Sequence, residues 1–133
     1  MSSKLKALVS QLEKAVEKLR AAVEAPPSEI VRDSAIQRFE FTYELAWKTL
    51  RDYLEENGLV MNPVTPRTVS KEGFSAKILD DGQVWIDMTL HRNLLAHTYD
   101  IKVFEKVIQV VEERYLTAFD RLHGWFLERM IDP

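Results

Sequence analysis

The chain has 133 residues, 46% of them apolar, which is one domain by length and enough apolar surface to build a core of its own. The absence of cysteine excludes a disulfide framework and a thiolate zinc site, and fits a reducing cytoplasm. A net charge of −3 argues against a broad basic surface that coats nucleic acid, so any nucleic-acid contact has to be local.

The opening stretch MSSKLKALVSQLEKAVEKLR is apolar at Leu5, Leu8, Leu12, Val16 and Leu19, and the stripe continues to Val23. Charges interrupt it throughout, so neither a signal peptide nor a membrane span fits, and the chain reads as cytoplasmic. The stripe predicts a first helix over 3–24, ended by Ala25-Pro26-Pro27 because a proline pushes its predecessor out of helical geometry. Ser28 is placed to cap a second helix running to about Asn57, with Ala35, Phe39, Tyr43, Ala46, Trp47, Leu50 and Leu54 on one stripe. Phe41 and Leu45 lie off that stripe, and so wide an apolar surface marks a central or interface helix. Asn57-Gly58 stops it, and Thr65-Pro66 reads as a cap followed by proline in the first turn of a short third helix. Asp80-Asp81-Gly82 breaks the chain before a fourth helix over roughly Gln83 to Ala96, with Asp81 as part of the turn and cap. Asp100 caps a long fifth helix carrying Val103, Phe104, Val107, Val111, Leu116, Phe119, Leu122 and Phe126. No repeat or linker divides the chain, so the expectation is one all-α domain over residues 1–133, an antiparallel bundle of four longer helices and one short helix.

One stretch concentrates polar chemistry. In HRNLLAHTYD, residues 91 to 100, two histidines, an arginine, an asparagine and a tyrosine surround a small apolar triplet at a helix end. A histidine with an ordinary pKa near ~6.5 can exchange a proton at neutral pH, and a guanidinium can hold a phosphate through two parallel hydrogen bonds. Together they suit phosphodiester cleavage. Asn93 and His97 share a helix face, about 40° apart in projection, whereas Arg92 and His97 are about 140° apart. Arg92 and His97 converge only if His97 sits in a fraying last turn, if the long arginine spans the gap, or if a second subunit supplies its own copy. The structural alternative is that Arg and His at a helix end simply complement the C-terminal dipole.

Arg92-Asn93-Leu94-Leu95-Ala96-His97-Thr98-Tyr99 has the form R-x4-H-x-Y, which resembles the signature of the HEPN superfamily, in the HepT branch paired with minimal nucleotidyltransferases. FEFTYELAWKTLRDYLEENG, residues 39 to 58, and TPRTVSKEGFSAKILDDGQVWIDM, residues 65 to 88, are similar to that family's second helix and to the segment before its motif. Such proteins have also been called nucleotidyltransferase substrate-binding proteins. The resemblance implies a homodimeric helical bundle, a metal-independent endoribonuclease in the toxic members, and a nucleotidyltransferase partner that acts as antitoxin. It implies that Arg92 holds the scissile phosphate, that His97 is general base or acid toward the ribose 2′-OH, and that Asn93 assists by hydrogen bonding. Tyr99 matches the tyrosine that the partner modifies with AMP in some members. The alternative within the same family is a non-catalytic subunit that presents substrate to the nucleotidyltransferase or regulates it.

The remaining polar residues read as structural, and no cofactor or metal is expected. His91 and His97 are six apart and lack the spacing that lets two imidazoles share one ion. Asp80, Asp81 and Asp87 are better explained by turn and cap than by magnesium. Phe39, Tyr43 and Trp47 at helical spacing point to core rather than to a base-stacking platform. Glu44 and Lys48 form an i, i+4 pair of the kind usually found on a solvated face, with a place in the cleft as the other reading. Lys4, Lys6, Lys14 and Lys18, spread among acids, read as exposed helix surface.

Overall fold

The computed structural model describes residues 1–131. The helices are α1 (Ser3–Glu24), α2 (Glu29–Glu56), α3 (Pro66–Ser75), α4 (Gly82–Leu95) and α5 (Ile101–Val110), and α5 passes through a π-helical turn (Val111–Tyr115) directly into α6 (Leu116–Ile131). No strand occurs among the described residues, and no helix among them is long and apolar enough to cross a membrane.

Four predicted caps hold. Ser28 accepts the Val31 N–H, Thr65 the Thr68 N–H, Asp81 the Val84 N–H and Asp100 the Lys102 N–H, so each helix start has one of its otherwise unpartnered donors satisfied by a side chain. α1 runs antiparallel to α2. The Thr42 hydroxyl donates to the Ala15 carbonyl (3.3 Å), Arg38 to the Lys18 carbonyl (2.8 Å), and the Ser2 hydroxyl to Glu56 (2.8 Å) at the far end. α6 returns antiparallel to α1, with Arg20 on Asp120 at 2.6 Å and His123 within 4.0 Å of Glu13. α2 packs against α1, α3, α4 and α5, which makes it the central helix its width announces. Its stripe of Phe39, Tyr43, Ala46, Trp47, Leu50 and Leu54 is buried, and α3 comes close enough that a Cβ on Gly73 would lie 2.7 Å from a Leu50 methyl.

Two stripes differ from the reading. On α1 the core face includes Val9, Ala15 and Ala22, while Leu8 and Val23 are only half-buried, because small residues let α1 and α2 approach along a face rotated from the leucine row. The long last helix is not uniform. The Leu116 N–H reaches back five residues to the Val111 carbonyl, and the wider turn buries Val110, Val111, Tyr115 and Leu116 together, which an unbroken α-helical stripe could not do. Tyr115, absent from the predicted stripe, is fully buried and stacks on Phe39 with centroids 5.6 Å apart.

Candidate active site

α4 and the turn after it carry the motif residues. The last turn of α4 presents Arg92, whose Nη2 meets Glu44 Oε1 of α2 at 2.8 Å. Glu44 is itself held in place: its second oxygen accepts the Trp47 indole N–H (3.1 Å) and lies 3.5 Å from Lys48. One carboxylate therefore braces the guanidinium from below and leaves its other N–H groups for a ligand. Because both partners are partly exposed, the pair adds at most about 1 kcal/mol to stability, and its effect is on where the arginine points. Glu40, one turn earlier on α2, is half-buried. Desolvation pushes its carboxyl above the ordinary range, the Arg92 charge opposes this, and Glu44 adds to it.

Arg92 and Asn93 line one wall of an open groove of about 630 Å³ between α3 and α4, with Arg67 on the opposite side beside the Thr65 cap. Thr89 and Leu90 belong to the same wall, and the Thr89 hydroxyl is 2.6 Å from the Tyr43 hydroxyl, which ties the middle of α4 to α2. The groove thus collects two guanidiniums, an amide and hydroxyls, a donor set suited to an anionic, hydrogen-bonding ligand.

His97 lies beyond the helix, in the turn where its N–H reaches the Leu94 carbonyl at 3.1 Å, and its ring is exposed. It makes no hydrogen bond to Arg92 among the described residues and does not line the groove. Within one chain the structure brings Arg92 and Asn93 together and leaves His97 on the neighbouring turn. Tyr99 is 74% exposed, as its position at the helix boundary predicts. Its ring packs edge-on against Phe104 at 5.3 Å and its hydroxyl donates to Asp33 at 3.3 Å. Asp33 and Glu44 are eleven residues apart on α2, about three turns and only about 20° in projection, so the segment from Arg92 to Tyr99 runs along one face of that helix.

His91, the other histidine of the stretch, points inward. Its Nδ1 is 2.5 Å from the Tyr115 hydroxyl, which the π-helical turn presents. Burial holds this imidazole below its ordinary pKa; Asp87 opposes that, while Lys106 and Arg114 reinforce it. Burial likewise raises Tyr115. Asp87 bonds Gln83 and Arg114, Asp80 pairs with Arg121, and Asp81 caps α4, so each acid set aside as structural has a structural partner. Glu40 and Arg67 are additions that sequence reasoning missed. Only the E-F-T-Y-E spacing, which stacks Glu40 and Glu44 on one face, carried a trace of the first.

Comparison with known proteins bears on this arrangement. A Haemophilus influenzae protein named "Probable ribonuclease HepT" is 30% identical over 78 residues, a match spanning 53% of this chain and 53% of that relative, about half its length. A crystal structure from Thermus thermophilus superposes with a TM-score of 0.72 at 32% identity, covering 89% of this chain and 97% of the other. A second structure, from Haemophilus influenzae and described as revealing the fold of a substrate binding domain of a nucleotidyltransferase, gives 0.67 at 25% identity over 90% and 94%. Finally, the profile of the family described as "Nucleotidyltransferase substrate binding protein like" matches residues 3–127, nearly the whole chain, and the protein belongs to that family.

Proposed function

We propose that this protein is a HepT-like endoribonuclease whose site is assembled from Arg92, Asn93 and His97 of two copies of the chain, and that a nucleotidyltransferase partner silences it. The observation that carries the reading is Arg92 itself: a guanidinium braced by Glu44 on the wall of an open groove that also carries Arg67 and Asn93, five residues before an exposed imidazole. In the reaction, His97 takes the proton of a ribose 2′-OH, and the 2′-oxygen attacks the adjacent phosphorus. The P–O5′ bond breaks to leave a 2′,3′-cyclic phosphate, and the departing 5′-oxygen takes up a proton from a second acid, for which the His97 of the other copy is the candidate. Arg92 and Asn93 donate to the phosphate oxygens as charge builds on them.

A dimer fits the surface of α4. Ile86, Leu90 and Leu94, at i, i+4 and i+8, are 47%, 61% and 46% exposed, an apolar row beside Asn93 that a second α4 would cover. Tyr99, exposed at the edge of the same face, is the candidate for attachment of AMP. That modification would bring a phosphodiester anion to the α2 face that also carries the Arg92 brace.

The test is RNA cleavage by the purified chain with Arg92→Ala and His97→Ala variants, both folded because neither residue is buried. Each should abolish cleavage, and the wild type should cut in EDTA, since every step runs through protein groups. A folded His97→Ala variant that still cuts would refute the mechanism. The family's own description favours a second reading, a non-catalytic subunit that binds the nucleotidyltransferase or its substrate. That reading predicts partner binding without cleavage, and intact mass after co-expression with the nucleotidyltransferase, compared between wild type and Tyr99→Phe, reports whether AMP is transferred.

A further inference from the structure

We infer that the groove between α1 and α2 is a docking track for single-stranded RNA, with Phe41 stacking on a base while Lys14, Lys18 and Arg38 hold the phosphates around it. The groove encloses about 470 Å³ and is lined by these four residues together with the amides of Gln11 and Gln37. It carries three cations and no acid, in a chain whose net charge is −3. Among the described residues none of the three cations is in an ion pair. Arg38 is nevertheless fixed, because it donates to the Lys18 carbonyl at 2.8 Å and so lies across the groove.

Phe41 is 63% exposed at the edge of this basic strip, off the buried aromatic stripe of Phe39, Tyr43 and Trp47. A flat apolar ring among cations is the combination that binds a flexible polyanion with stackable bases: the ring takes a base face, the cations take the backbone. The two amides add donors and acceptors that match base edges. The position suits the cleavage site as well. Phe41 is one turn from Glu44 and about 60° around α2, so a strand leaving Arg92 crosses one helix to reach the groove. This inference rests on the RNA-cleaving reading for its substrate, but its test measures binding.

The probe is a labelled 12-nucleotide RNA with 2′-O-methyl groups, which cannot be cut through the 2′-oxygen, measured by fluorescence anisotropy against the full chain beside a duplex of the same sequence. Phe41→Ala should weaken single-strand binding at least about fivefold and leave duplex binding unchanged. Phe41→Tyr, which keeps the ring, should bind as the wild type does and thereby control for folding. The Lys14→Gln/Lys18→Gln variant should flatten the slope of log affinity against log salt by about 1.4. Wild-type protein that ignores the probe, or variants that bind as the wild type does, would overturn the inference. So would variants that keep RNA binding but lose an acidic protein partner, since the groove would then be a protein contact. Cleavage of unmodified RNA run in parallel separates the two ideas. Cutting with groove variants unchanged in binding removes only the track, whereas groove-dependent binding without cutting removes only the nuclease.

Discussion

Tyr115→Phe takes a single oxygen from the interior, and the structure sets what that should cost. The ring keeps its place on Phe39, with centroids 5.6 Å apart and planes 14° from parallel, so no cavity opens. The loss is confined to the 2.5 Å bond between the hydroxyl and His91 Nδ1. A net hydrogen bond contributes about 0.5–1.5 kcal/mol, and stranding a buried partner costs somewhat more. His91 is only half-buried, so water repays part of the loss, and about 1.5 kcal/mol is the expected destabilisation. With an unfolding entropy of about 2.1 cal/mol/K per residue, 133 residues give about 280 cal/mol/K, and the melting temperature should fall by about 5 °C. The assay is a calorimetric or circular-dichroism melt at about pH 8, where an imidazole of ordinary or lowered pKa is neutral. The substitution repeated in a His91→Ala background should cost clearly less, because the bond is already absent there. A fall of less than about 1 °C, or an equal fall in both backgrounds, would refute the view that this bond fastens α4 to the last helix.

The same histidine should give stability a pH dependence. Its folded-state pKa lies below the ordinary value, so the unfolded chain protonates first. The contribution is complete above about pH 6.5 and is lost as pH falls through the window below it, with a slope of at most about 1.4 kcal/mol per pH unit. Urea titrations of wild type against His91→Gln should diverge in that window, and parallel curves would contradict it. Glu44→Ala should lower kcat/KM for RNA roughly tenfold or more while changing stability by less than about 1 kcal/mol, because it removes the brace under Arg92 from a partly exposed pair. Unchanged cleavage by the folded variant would show that Arg92 needs no brace. Leu90→Lys, which puts a charge in the centre of the exposed α4 row, should give a monomer by light scattering and abolish cleavage. An active monomer would eliminate the composite site.

Most of the helical frame could be read from local chemistry. The caps at Ser28, Thr65, Asp81 and Asp100 and the proline or glycine breaks act within one or two turns, so a linear reading finds them. Resemblance singles out Arg92, Asn93 and Tyr99 as candidates, and their placement on the groove wall and at an exposed helix boundary follows from the end of α4. What escaped depends on other helices. For Glu44 the sequence offers both the pair with Lys48, which exists at 3.5 Å, and a place in the cleft, but the shorter contact that puts it there is with Arg92, forty-eight residues on. The inward turn of His91 likewise depends on Tyr115, and Tyr115 was missed because the wide turn shifts the repeat that a stripe search assumes.

That wide turn also makes the last helix a counted length. Each residue of an α-helix advances the next by about 100°, and the wide turn absorbs one such step, so winding Val111–Tyr115 regularly with the same sequence would swing everything after it by about that angle. Phe119, Leu122 and Phe126, now fully or almost fully buried, would face elsewhere, and Arg20 would lose Asp120. Insertions and deletions in relatives of this chain should therefore gather in the stretch between Asn57 and Thr65, outside any helix, and a relative without the wide turn should be one residue shorter between Phe104 and Phe126.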